Sequence, residues 1–296
     1  MSESDLISNE STDRYYRHSG RVPFVGTLSM LCMGGIAAFL LSFLYSLICY
    51  FNPIVILQLF IILGYGAALG MAIKLAGRWT KVRNQTFAVL VSLFIGALGI
   101  HFAWVWYIFI VLGWDQMVID FEPTTTFLFI QHLAARGVWQ FKGHAPTGWE
   151  LYLLWGIEAV TILFVCFAIG SQIEHPFCEG CNCWTEPGTP LVVATSDHLA
   201  LAAQLEAEQY DVIVELSERG VNPNDVLKIV GFRCPHCTDS SYLTVSRVIT
   251  TPGKSDNDNP NVNETHVIRA IAVPDDIVLQ VTELANRPPT DIPELD

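Results

Sequence analysis

The chain has 296 residues, 51% of them hydrophobic and only 15% charged, where a soluble domain carries about 25% charged residues; this excludes a disordered protein and a wholly soluble one. Residues 1–173 hold nine acids and nine bases, while residues 174–296 hold 20 acids and seven bases, so the whole net charge of −13 lies in the last 123 residues. Two modules are expected, and the acidic one does not suit nucleic acid, whose phosphates need a basic face.

Residues 1–24 read as a cytoplasmic N-terminal segment. Glu3, Asp5, Glu10 and Asp13 precede the first apolar stretch. That stretch is too long for a cleaved signal peptide and reads as an anchor that stays. No charge occurs between Arg21 and Lys74. Asn52-Pro53 divides this region, because proline cannot continue a helix and asparagine favours a turn. The spacing predicts spans over Val25–Phe51 and Ile54–Leu75, then Phe87–Leu112, then Leu151–Gln172, the last interrupted only by Glu158. Each exceeds the roughly 20 apolar residues needed to cross a bilayer. Residues 25–173 are therefore expected to form a four-helix transmembrane domain embedded in the lipid bilayer.

Lys and Arg set the orientation. Arg14, Arg17 and Arg21 precede span one, and Arg78, Lys81 and Arg83 lie between spans two and three. The outer loop 113–149 has only Arg136 and Lys142. Both termini are expected in the cytoplasm. The outer loop is rich in interfacial aromatics: Trp114, Phe121, Phe127, Phe129, Trp139, Phe141 and Trp149. Pro123 can start a helix there, with Phe127, Ile130, Ala134 and Val138 on one face. It reads either as a helix on the outer membrane surface or as a cap over the bundle.

Small residues recur inside the spans: Gly34, Gly35 and Ala38; Gly66 and Gly70; Gly96 and Gly99. They allow close helix approach, within one bundle or at a homo-oligomer face. Two ionisable groups fall inside the spans. Glu158 lies roughly 12 Å and His101 roughly 18 Å below the outer boundary, at 1.5 Å per residue. They form a candidate intramembrane polar pair. The other reading is a neutral Glu158 bonded to a serine, a tyrosine or backbone.

Eight cysteines are present. Cys32, Cys49 and Cys166 fall in spans and read as small buried hydrophobes. Cys178-Glu-Gly-Cys181 and Cys234-Pro-His-Cys237 are two C-x2-C pairs, and four thiolates make a closed tetrahedral site of the kind structural Zn2+ requires. Gly180 and Pro235 suit the knuckle turns. A redox dithiol is the competing reading. Cys183 is a fifth thiol, either a spectator, a substitute ligand or a reactive group.

The knuckles, Phe232-Arg233-Cys234-Pro235-His236-Cys237 above all, resemble those of zinc ribbons. The resemblance covers about a tenth of the chain and implies a zinc-ribbon-like fold around Cys178, Cys181, Cys234 and Cys237. Fifty-two residues separate the knuckles, against roughly 15–20 in the compact pattern, so the insert must fold with the domain. Spans followed by Pro176-Phe177-Cys178-Glu179 are similar in outline to bacterial membrane proteins, which implies a bacterial inner membrane.

Residues 174–287 are expected to form a small α+β cytoplasmic domain. Ser196-Asp197 caps a helix to about Gln209, a second runs from Asp211 to Glu218, and strands cover Val226–Phe232, Tyr242–Thr250 and His266–Val273. Pro252–Asn263 reads as a loop. A last helix starts at Pro274-Asp275-Asp276. Residues 288–296 read as a flexible tail. Asp256 and Asp258 lack the spacing of a cation loop, and His198 and His266 have no recognisable partners. There is no phosphate loop, nucleotide fingerprint or nucleophile elbow. The expectation is a non-enzymatic, membrane-anchored module that presents its acidic domain to a protein partner. The alternative is a small proton-linked transporter using His101 and Glu158.

Overall fold

The structure, a computed structural model, describes residues 14–52, 54–112, 119–138, 146–173, 175–195, 197–219, 222, 224–251 and 260–287. The N-terminal acids, Trp114, Trp139, Phe141, Lys142, Ser196, the Asp256/Asp258 stretch and residues 288–296 lie outside the described residues. The chain divides into two compact units: residues 19–173, and residues 1–18 together with 174–296.

The first unit is helical. Its elements are α1 (Phe24–Phe51), α2 (Val55–Trp79), α3 (Gln85–Leu112), α4 (Pro123–Arg136) and α5 (Trp149–Gly170). Among the described residues, α1, α2, α3 and α5 are long and apolar enough to cross a membrane. The α1–α2 break falls where Asn52 was expected to make it: its carboxamide oxygen accepts the Ile54 N–H at 3.0 Å. Helix α2 continues four residues beyond Leu75 and so takes Arg78 into its last turn, where a cation meets the free carbonyls of a helix end.

Large apolar side chains cover the outside of these helices; Ile56 is 75% and Phe60 65% exposed. The inside is closed by Met30, Leu69, Ile73, Ile95 and Ile162. Two small-residue sites explain the close approach. A Cβ on Gly70 would lie 2.8 Å from the Cys166 carbonyl oxygen and 2.9 Å from the Ile169 Cβ, so α2 and α5 touch backbone to backbone there. A Cβ on Gly34 would lie 2.9 Å from Ile95 Cγ1, whereas one on Gly35 would meet nothing within 4 Å. Of the span cysteines, Cys166 is buried, Cys49 is half-buried and Cys32 is exposed; Cys32 thus faces outward, contrary to its expected burial.

Helix α4 shows a divided character. Thr126 and Ala134 are buried, while Phe127 and Leu128 are exposed. Phe127 and Ala134 were expected to behave alike on one face, but only the second is covered.

The second unit is α+β. Its strands are β1 (Phe177–Cys178), β2 (Cys183–Trp184), β3 (Glu186–Pro187), β4 (Leu191–Ala194), β5 (Asp225–Arg233), β6 (Ser241–Thr251) and β7 (Asn261–Ala272). Its helices are α6 (His198–Glu206), α7 (Asp211–Ser217) and α8 (Asp275–Ala285). β1 and β2 form a hairpin. The main sheet is antiparallel in the order β3-β5-β6-β7, with β4 also on β5. The Asp197 carboxylate caps α6 by accepting the Leu199 N–H. Val278, Val281 and Leu284, spaced for one face of α8, join Leu227, Ile229, Leu243 and Val245 in the core. Gly231 permits that packing, since a Cβ there would lie 2.7 Å from Val278 Cγ1.

Two features differ from the sequence reading. β7 begins at Asn261 rather than His266, because Thr251 and Asn261 are still in register across β6 and β7. Residues 14–16, assigned by sequence to a separate N-terminal segment, belong to the acidic domain. The Tyr16 N–H donates to the Ala270 carbonyl at 2.9 Å, and the Ala272 N–H donates to the Arg14 carbonyl at 2.8 Å. Tyr15 packs against the domain core and donates its hydroxyl to Glu206. Arg14 bonds the Glu208 carboxylate at 2.7 Å. No periodic pattern marks so short a segment, in which Tyr15 makes an isolated bridge to Ile271, so only the tertiary partner reveals it.

Candidate metal centre

Strand pairing brings the two knuckles together. Glu186 and Pro187, just after the first knuckle, pair with Arg233 and Phe232, just before the second. Arg233 also pairs with Ser241, where the chain leaves the second knuckle. The 52-residue insert is thereby accounted for: it leaves through β4, forms α6 and α7, and returns as β5. Below the knuckles, Phe177 is buried and meets Trp184 edge to face, with ring centres 5.0 Å apart. Thr185 closes the first loop by donating both its N–H and its hydroxyl to the Pro176 carbonyl.

The Sγ atoms of Cys178, Cys181, Cys234 and Cys237 all lie within 4.8 Å of one another. Cys178 and Cys237 are 3.6 Å apart. A tetrahedral site with metal–sulfur bonds of about 2.3 Å spaces its sulfurs about 3.8 Å apart, so the four thiols fit a metal ion. Backbone amides support them: the Cys181 N–H points at Cys178 Sγ at 3.4 Å, and the His236 N–H at Cys234 Sγ at 3.5 Å. Such donors stabilise a thiolate. Burial pushes the Cys234 thiol up, but the His236 N–H and the Cys183 thiol outweigh it and lower Cys234 to about 6. The Cys181 thiol is pushed up, first by its hydrogen bond to Cys237. Four sulfurs this close share protons; a divalent cation would displace them and let all four ionise.

Gly180 lies in the first knuckle turn, as the sequence suggested. Gly180 does not adopt a left-handed conformation, and a Cβ on it would meet nothing within 4 Å. The left-handed residue is Asn182, with φ of 51°, between Cys181 and Cys183; asparagine tolerates that region. This turn folds Cys183 back across from Cys178 in the β1–β2 hairpin. Cys183 Sγ then lies 3.5 Å from Cys234 Sγ.

The other candidate residues have partners of their own. Glu158 accepts a hydrogen bond from the Tyr45 hydroxyl. Gln58 links to the Tyr45 oxygen at 3.4 Å and to Cys49 Sγ at 3.1 Å. His101 instead lies 3.1 Å from the Phe121 carbonyl oxygen. The structure thus gives His101 and Glu158 separate partners, because the side chain that reaches Glu158 comes from α1 and not from α3. His266, without a recognisable partner in the sequence, lies 2.8 Å from the Ser246 hydroxyl across β6 and β7. Sequence reasoning missed Tyr45; a tyrosine in an apolar span was a signal, since its hydroxyl must find a partner when buried.

No protein-family model, curated protein or solved structure matches the chain.

Proposed function

We propose that the chain is a multi-pass membrane protein whose four-cysteine centre holds one structural Zn2+ and whose acidic domain, on the cytoplasmic side, binds a protein partner without catalysing a reaction. The observation that carries this reading is the convergence of four thiols at metal-ligand spacing in a domain joined to four helices of membrane-crossing length. Tetrahedral thiolate sites with no open position are structural.

The hydrogen bonds from Arg14 and Tyr16 to β7 add an argument about topology. Segments from both sides of the helical unit enter one domain, which supports an even number of crossings between them. Four spans satisfy this. The Lys/Arg bias of the sequence supports the cytoplasmic side for that domain. The partner is expected to be basic, because Asp211, Glu215 and Glu218 of the α7 region are exposed.

The transporter reading draws less support. It needs His101 and Glu158 to act together, and each is engaged elsewhere.

Elemental analysis of protein purified without chelator tests the centre; about one zinc per chain is expected, and a Cys234→Ser variant should lose it. Partner capture from membranes should then fail for Cys234→Ser and weaken in high salt. Substrate uptake by liposomes containing the Cys234→Ser variant would favour the transporter instead.

A further inference from the structure

Cys183 is the one cysteine of the acidic domain outside the two C-x2-C pairs. A metal needs four thiolates and has them in Cys178, Cys181, Cys234 and Cys237. Yet the fold holds Cys183 against the centre. The β1–β2 register fixes it opposite Cys178, the left-handed Asn182 turns the chain back to make that register, and its sulfur rests 3.5 Å from that of Cys234. Cys183 is half-exposed, while Cys234 is buried. Thus a non-ligating thiol, open to solvent on one side, touches a ligand on the other.

We propose that Cys183 is one partner of a redox disulfide switch: on exposure to a peroxide it forms a disulfide with Cys234, removes that ligand and releases the metal. The proposal rests on the reading of Cys178, Cys181, Cys234 and Cys237 as the metal ligands. The oxidant is hydrogen peroxide or an organic hydroperoxide. One sulfur of the pair, as thiolate, gives an electron pair to the terminal peroxide oxygen; the O–O bond breaks, leaving a sulfenic acid and hydroxide, or an alkoxide from an organic hydroperoxide. The other sulfur attacks the sulfenic sulfur. The S–S bond forms as the S–O bond breaks, and the departing oxygen takes a proton and leaves as water. In total, two thiols lose two electrons and two protons, and hydrogen peroxide becomes two waters. The metal is left with three thiolates and an open position.

The separation of 3.5 Å must shorten to about 2.05 Å in the bond. The two sulfurs are already in contact, so the approach required is about 1.5 Å. A disulfide reductant with added zinc reverses the step, which separates a switch from irreversible oxidation.

The test uses the full chain in detergent. Wild type and Cys183→Ser are loaded with zinc, treated with hydrogen peroxide, and followed by a chromogenic zinc chelator and by peptide mass mapping. Before peroxide, both should hold the same one equivalent. After it, wild type should lose its zinc and yield a Cys183–Cys234 disulfide-linked peptide, while Cys183→Ser keeps its zinc under the same exposure. Dithiothreitol and zinc should restore wild type. Equal zinc loss in the two proteins, or a disulfide that omits Cys183, would overturn the proposal. So would a Cys183→Ser protein that binds no zinc while a Cys181→Ser protein binds one, since Cys183 would then be a ligand. If wild type holds no zinc at all, the metal reading fails, yet the Cys183–Cys234 peptide still tests the disulfide.

Discussion

Arg233 forks onto Asp275 with two contacts of 2.7 Å, Nε to Oδ1 and a terminal nitrogen to Oδ2. Arg233 is the residue before Cys234, and Asp275 opens α8. The Ser241 hydroxyl donates to the same carboxylate at 2.7 Å. Three segments therefore meet at Asp275: the strand entering the second knuckle, the strand leaving it, and the helix that covers the sheet. The carboxylate also sits at the positive end of that helix.

Asp275→Ala should accordingly loosen the knuckle as well as the helix. Bonds to a charged group contribute about 1.5–3 kcal/mol each, but Arg233 is partly solvated, so a total loss of about 2 kcal/mol is expected. Thermal unfolding checks the stability. Metal affinity by competition with a chelator should fall in the same variant, and unchanged affinity would show that α8 does not brace the centre.

Helix packing in the first unit gives a paired test. Gly70→Ile places a side chain where α5 backbone lies within 2.8 Å, which should cost at least the roughly 1–3 kcal/mol typical of overpacking. Gly35→Ala meets nothing within 4 Å and should be neutral or stabilise by up to about 1 kcal/mol, since glycine is a poor helix former. Melting temperatures of the two purified variants in one detergent compare them directly.

Glu158→Gln should leave fold and assembly intact, because the amide oxygen can still accept from the Tyr45 hydroxyl. Glu158→Leu should cost about 1–3 kcal/mol, the usual penalty for leaving a buried donor without its acceptor. Yield of monodisperse protein and melting temperature provide the measure. Impaired assembly in Glu158→Gln equal to that in Glu158→Leu would mean the carboxylate charge matters.

Acid should expose the role of Asp225. Arg247 grips it with contacts of 2.8 and 2.6 Å, and this hydrogen bonding holds its carboxyl at about 2, below the ordinary 3.8. A depressed carboxyl stabilises the fold at pH values above its unfolded value and loses that contribution as pH falls through the folded one. Wild type should therefore be more stable than Asp225→Asn at about pH 5, and the gap should shrink between about pH 4 and pH 2. A gap that persists below about pH 2 would locate the effect in packing rather than in the ion pair.

Much of this architecture follows from local sequence. The four long helices could be read because apolar runs of roughly 20 residues, the last broken only by Glu158, are long enough to cross a bilayer, and Asn52-Pro53 favours a turn between the first two. The four-cysteine set was legible for a related reason: two C-x2-C pairs have a chemistry that their surroundings scarcely change. Even α8 could be read, from Pro274-Asp275-Asp276 at its start. Tertiary structure decided matters in which a residue's partner is distant in the chain. Short β3 and β4 carry no periodic signal and exist because β5 pairs with both. Arg14–Tyr16 join a strand from the far end of the sequence, Tyr15 bridging to Ile271. Depth counting placed His101 near Glu158, yet depth fixes only one coordinate, and rotation about each helix axis gave Glu158 to Tyr45. Cys183 was a spare thiol in the sequence; the turn at Asn182 set it against Cys234. Composition specifies which environment a segment enters, whereas the choice among chemically equivalent partners is made by packing, which no local pattern records.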